Sequence, residues 1–78
     1  MPKFFRSISG KDMSKLLNRL GFLLISQKGS HIKLKRSVAG ITQIVIVPNH
    51  KELKPGTFRN ILKMAALSLE DFDKLRKN

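Results

Sequence analysis

The residues in this chain with chemistry to offer are two histidines and the lysines around them. His31 stands in "QKGSHIKLK", directly after a Gly-Ser pair and at the start of alternating apolar and basic residues. His50 stands in "PNHK", among turn formers. A free imidazole titrates near pH 6.5, give or take about one unit, so it can take and return protons at neutral pH. Ammonium groups beside it can stabilise the charge that develops on a phosphate. Lys28, Lys33 and Lys35 flank His31, and Ser30 could position a phosphate or orient the ring. RNA suits such a set, because its 2′-hydroxyl is an internal nucleophile. A protein need only remove that proton, stabilise the phosphorane and protonate the leaving oxygen.

Other chemistries find little support in the residue inventory. Metal-dependent nucleases use clustered carboxylates to hold Mg²⁺ against phosphate. The acids are Asp12, Glu52, Glu70, Asp71 and Asp73. Three fall together near the C-terminus and Asp12 reads as part of a helix cap, so no metal cluster is expected. Two histidines without a cysteine do not compose a zinc site. Neither a Walker A sequence nor a Rossmann glycine pattern is present, so no cofactor is expected. The enzymatic reading is therefore metal-free acid–base catalysis. Two other readings stand beside it, because a histidine at a hairpin turn is commonly exposed and idle, and His50 could simply bond backbone groups. One is a non-catalytic module that binds double-stranded RNA by shape; the other is a subunit that only meets an acidic protein. With neither Tyr nor Trp in the sequence, and the five Phe mostly explained as core, base-stacking platforms are not expected.

Charge narrows the partners. Sixteen Lys and Arg against five Asp and Glu give a net charge of +11, spread along the chain. Anionic partners follow: nucleic acid first, an acidic protein second, a membrane surface third. At 78 residues the chain is expected to fold as one domain, 1–78, of modest stability. The absence of cysteine suits a reducing cytoplasm. No apolar run approaches a membrane span, and "MPKFFRSIS" has too short an apolar part for a secretory leader.

These residues need elements to hold them. Ser9 with Asp12 forms a capping-box pattern, Met13, Leu16, Leu17 and Leu20 recur at helical spacing, and Gly21 supplies a C′ residue. That predicts a helix over about 10–20. Its other face carries Lys11, Lys15 and Arg19, a solvated stripe that could also meet phosphates. "FLLISQK", "HIKLKR" and "TQIVIV" read as three antiparallel strands separated by "GS" and "SVAG". Gly29-Ser30 suits a type II′ hairpin, pairing Lys28 with His31 and Ile25 with Leu34. Ile32 and Leu34 then face one side, while His31, Lys33 and Lys35 face the other. After a Pro- and Gly-containing loop, Phe58, Ile61, Leu62 and Ala65 predict a second helix over about 55–66, with Pro55 in its first turn. Ser68 with Asp71 caps a short terminal helix with Leu69, Phe72 and Leu75 inward. The predicted fold is α+β, α-β-β-β-α plus the short helix. Both main helices lie on one face of a three-stranded sheet, and the histidine–lysine strip lies on its open face.

The sequence also resembles the HicA (YcfA-like) family of mRNA-interferase toxins from bacterial type II toxin–antitoxin pairs. The resemblance rests on Leu20-Gly21-Phe22 ending the first helix, on "QKGSHIKL", and on "IVIVPNHKELKPGTFRNILKMAALSLEDF". It covers about residues 9–73. It implies a double-stranded-RNA-binding-domain-like fold and cleavage of mRNA, with inhibition of translation and growth, through the histidine of the Gly-Ser-His motif, here His31. It implies neutralisation by a HicB-type antitoxin, acidic where it covers the cationic face. Lys28, Gly29, Ser30, Lys33, Lys35, His50, Lys54 and Arg59 then become expected contacts for RNA phosphates. Ala66 stands where a glycine is frequent in the family, and the second helix is expected to run slightly further because of it.

Overall fold

Helix α1 (Gly10–Arg19) begins where Ser9, in extended backbone, accepts a hydrogen bond on its hydroxyl from the Asp12 N–H at 3.0 Å. It ends in a Schellman turn. The N–H of Phe22 reaches the Leu17 carbonyl and the N–H of Gly21 reaches that of Asn18, with Gly21 at φ 97°. Leu17 and Phe22, the apolar pair that accompanies this motif, are both fully buried. The computed structural model describes residues 7–77; residues 1–6, part of the segment weighed above as a leader, lie outside them.

The order continues with β1 (Leu23–Lys28), β2 (His31–Val38), β3 (Ile41–Pro48), α2 (Pro55–Met64) and α3 (Leu69–Lys77). The strands form one antiparallel sheet in the order β1-β2-β3. Ile32, Leu34, Val45 and Val47 point from the sheet into a single core with Met13 and Leu17 of α1, Phe58, Ile61 and Leu62 of α2, and Phe72 of α3. Phe58 and Phe72 meet edge to face at 5.1 Å between ring centres. The fold is thus the expected α+β arrangement with helices on one sheet face. Ser68 caps α3 through the Asp71 N–H at 3.0 Å, and Phe72 is its buried anchor, with Leu69 and Leu75 half-buried.

Three local expectations change. Lys28 does pair with His31, but a bulge between Leu24 and Ser26 shifts the ladder, so Leu24, not Ile25, lies opposite Leu34. The extra residue in β1 leaves Ile25 outside the regular pairing. The second hairpin is tighter than "SVAG" implied: β2 runs to Val38 and β3 starts at Ile41, joined by Ala39-Gly40 alone. Both loop residues have positive φ, 50° and 80°, as a type I′ turn needs to match strand twist. Lastly, α2 stops at Met64. Ala66 takes the left-handed C′ position at φ 56°, its N–H bonding the Lys63 carbonyl while the Leu67 N–H bonds that of Leu62. Leu67 is drawn back against the core, and that burial outweighs the cost of a non-glycine residue in this conformation.

Candidate functional site

Strand register places the site residues. Gly29, at φ 55°, turns the chain so that Lys28 and His31 face each other as the closing pair of the first hairpin. Side chains of directly opposed residues lie roughly 5 Å apart at Cβ, and the next residue on the same face is about 7 Å along the strand. On the face away from the core, the open sheet therefore carries three cross-strand rows. Lys28, His31 and Pro48 form the first; Ser26, Lys33 and Ile46 the second; Leu23, Lys35 and Ile44 the third. His31 and Lys35 are exposed and Lys33 half-buried. The basic residue missing from this strip is Arg36, whose parity sends it to the core side. Its guanidinium lies 4.4 Å from the centre of the Phe22 ring and donates to Gln43 Oε1 and to the Leu20 carbonyl. Arg36 holds the fold together.

The end of the sheet at His31 is built by more than the hairpin. The Asn49 N–H donates to the Ser30 carbonyl at 2.6 Å, so the chain leaving β3 is fastened to the residue before His31. The Gly10 N–H in turn donates to the His50 carbonyl at 2.9 Å, and the Leu53 N–H to the Ile8 carbonyl at 2.8 Å. These bonds bring the N-terminal ends of α1 and α2 to the same end of the molecule as His31. Helix N-termini carry partial positive charge, so they add to the attraction of lysines for anions. Asp12 in the first turn of α1 offsets part of this, while α2 has no acid in its first turn.

Not every expected contact residue converges. Lys28, Gly29, Ser30, Lys33 and Lys35 share the hairpin with His31. His50 sits on the adjoining loop, tied in through its backbone, and neither imidazole hydrogen-bonds to a described residue. Lys54 precedes α2 at the same end. Arg59 instead lines an open groove with Lys63, Leu67 and Leu69 in the helical layer, away from the histidine strip. Among the described residues no group of three or more His, Asp or Glu side chains is placed to hold a metal. No helix among them is long and apolar enough to cross a membrane.

Three residues of this face were invisible to the sequence reading. Ile44 and Ile46 are 42% and 43% exposed and Leu23 is 63% exposed, all beside the lysines. "TQIVIV" is apolar at four consecutive positions, so its alternation could not say which pair faces solvent. The register does: Val45 and Val47 pair with Leu34 and Ile32, leaving the isoleucines out. The face is therefore a cationic strip edged with exposed aliphatic side chains. Such a surface suits a phosphate backbone along the lysines and a protein across its margins.

Comparison with known proteins adds one match. The family model described as HicA toxin of bacterial toxin-antitoxin matches residues 10–67. A search among curated proteins found none that matches the chain.

Proposed function

The chain belongs to the HicA toxin family of bacterial toxin–antitoxin systems, and on that premise we propose that it is a metal-independent endoribonuclease that cleaves mRNA. The observation that carries this reading is the exposed His31 at a hairpin turn, opposite Lys28 and beside Lys33 on an open sheet face. RNA lies along the strip with a phosphate between His31 and the lysines. His31 takes the proton from the 2′-hydroxyl, the 2′-oxygen attacks phosphorus, the bond to the 5′-oxygen breaks, and that oxygen leaves as a hydroxyl with a proton from solvent water. The products are a 2′,3′-cyclic phosphate and a 5′-hydroxyl. Lys28 and Lys33 stabilise the extra phosphorane charge, and Lys35 holds the next stretch of backbone. Gly29 and Ser30 shape the turn that presents His31, and His50 and Lys54 contact phosphates further along, while Arg59 lies off this path in the helical layer. The domain, 1–78, acts in the cytoplasm, needs no cofactor, and is silenced by a HicB-type antitoxin that covers the cationic face.

The test is cleavage of an mRNA in EDTA by the wild type and by His31→Ala. Loss of an acid–base group costs about 10²–10⁴-fold in rate. Undiminished cleavage by the variant, or complete dependence on Mg²⁺, refutes the proposal. Tight binding of duplex RNA with no cleavage would favour the non-catalytic module instead.

A further inference from the structure

The helices cover the sheet unevenly. Both main helices pack towards β3, and β1 is left at the margin with all six of its residues exposed. Three large aliphatic residues stand consecutively there: Leu23, Leu24 and Ile25, the last two 57% and 48% exposed. Isolated exposed aliphatics need no explanation, but a run of three on an unpaired strand edge does. β1 is an edge strand, and among the described residues no strand pairs with its outward N–H and C=O groups. Lys28 and His31 close a two-residue hairpin and so exchange hydrogen bonds, which turns the Gln27 N–H and C=O outwards. The opposite edge differs, since Pro48 has no N–H to offer there.

Beside this edge, on the helical side, runs a groove of about 330 Å³ between β1 and α1. Leu24, Ile32 and Leu34 line its sheet side, and Lys11 and Lys15 stand along its helical side. We propose that the outer edge of β1 and this groove dock an extended, acidic segment of the partner antitoxin, which adds a fourth strand to the sheet. Its backbone pairs with β1, its apolar side chains cover Leu24 and Ile25, and its carboxylates meet Lys11 and Lys15. The charge argues for this occupant. A second copy carries the same +11 and would set Lys11, Lys15 and Lys28 against their equivalents. RNA gains little from an aliphatic strand edge. The docking site is separate from the His31 face, and it rests on the toxin–antitoxin reading only for the identity of the partner.

The test compares the full chain with Leu24→Asp, Leu24→Lys and Gln27→Pro, using a purified HicB-type antitoxin that binds the wild type as the titrant. Both Leu24 changes remove the same apolar surface, but an acidic segment penalises Asp more than Lys. Leu24→Asp should weaken binding by about 30-fold or more, Leu24→Lys by several-fold less, and Gln27→Pro by about tenfold. RNA cleavage by the free Leu24 variants should stay within about twofold of wild type. Unchanged affinity in both Leu24 variants overturns the inference, as does a wild type that binds no HicB-type antitoxin at all. A larger loss for Lys than for Asp also overturns it, and so does RNA affinity falling while antitoxin binding holds. Self-association of the free chain that Leu24→Asp abolishes points to a second copy and refutes it too. If Gln27→Pro fails to melt cooperatively, the Leu24 pair alone decides. The predicted losses in a protein that cleaves no RNA would sink the ribonuclease proposal and leave this one standing.

Discussion

Replacing Gly10 with alanine should damage both the fold and the histidine site, because this glycine is buried where two elements nearly touch. A Cβ built on Gly10 lies 1.9 Å from the Pro48 carbonyl oxygen and 3.0 Å from the Asn49 Cα. Cβ contacts below 3.0 Å are essentially never seen, so α1 and the end of β3 must separate by about 1.1 Å. That shift would stretch the 2.9 Å bond from Gly10 N to His50 O towards about 4 Å, beyond hydrogen-bonding range. The orphaned pair costs about 1–3 kcal/mol. Overpacking strain adds about 1–3 kcal/mol. Alanine's helix preference returns up to about 1 kcal/mol. With that return counted in full the net loss is about 1–5 kcal/mol, which lowers the melting temperature of a domain this size by roughly 4–40 °C. The same displacement pulls on Asn49, and through its bond to the Ser30 carbonyl on the residue next to His31. A misplacement near 1 Å can cost about 10²-fold in rate, so cleavage measured well below the melt should fall by about that factor. Circular dichroism melts and single-turnover cleavage are the assays, with Gly56→Ala as control, since nothing lies within 4 Å of a Cβ there. A Gly10→Ala melt within about 2 °C of wild type would refute the reasoning.

Other substitutions separate the remaining roles. Lys33→Ala and Lys35→Ala should each reduce the salt dependence of RNA binding by about 0.7–0.9 in log–log slope, and an unchanged slope removes that lysine from the phosphate contacts. Ala66→Gly relieves a left-handed residue at a cost of about 1–2 kcal/mol and adds unfolded-state entropy of about 0.4–1 kcal/mol. A net gain of about 0.5–1 kcal/mol should appear as a higher urea midpoint at unchanged slope. Arg36→Ala removes the ring contact with Phe22 and the bonds to Gln43 and Leu20, and should cost about 2 kcal/mol. RNA affinity at a temperature where the variant is folded should change little; a loss as large as that of Lys35→Ala would place Arg36 among the phosphate contacts after all.

Much of the molecule was legible because the signals are local. Ser9 and Ser68 announced their helices, since a cap is a contact over three residues. Gly29-Ser30 fixed the closing pair of the hairpin, and strict alternation from there put His31, Lys33 and Lys35 on one face. Local signals mislead where packing overrules them. An alanine at position 66 suggests a longer α2, yet the packing of Leu67 against the core goes with a left-handed Ala66. The bulge at Ile25 has no signature in "LLIS", which is apolar on both sides of the strand.

The sequence by itself determined the order of elements, the parity of β2 and the family to which the chain belongs. Parity needs only the period of a strand and the chemistry of one turn. Tertiary structure alone decided what surrounds His31: that Ile44 and Ile46 face outwards with the lysines, and that Gly10 and Asn49 brace the turn. It also decided that, among the described residues, β1 lies at the edge of the sheet with its side chains exposed. Isoleucine and valine are too alike for sequence to choose between them. The face that is buried is the one onto which α1 and α2 pack, and that choice is made by contacts between residues far apart in the chain.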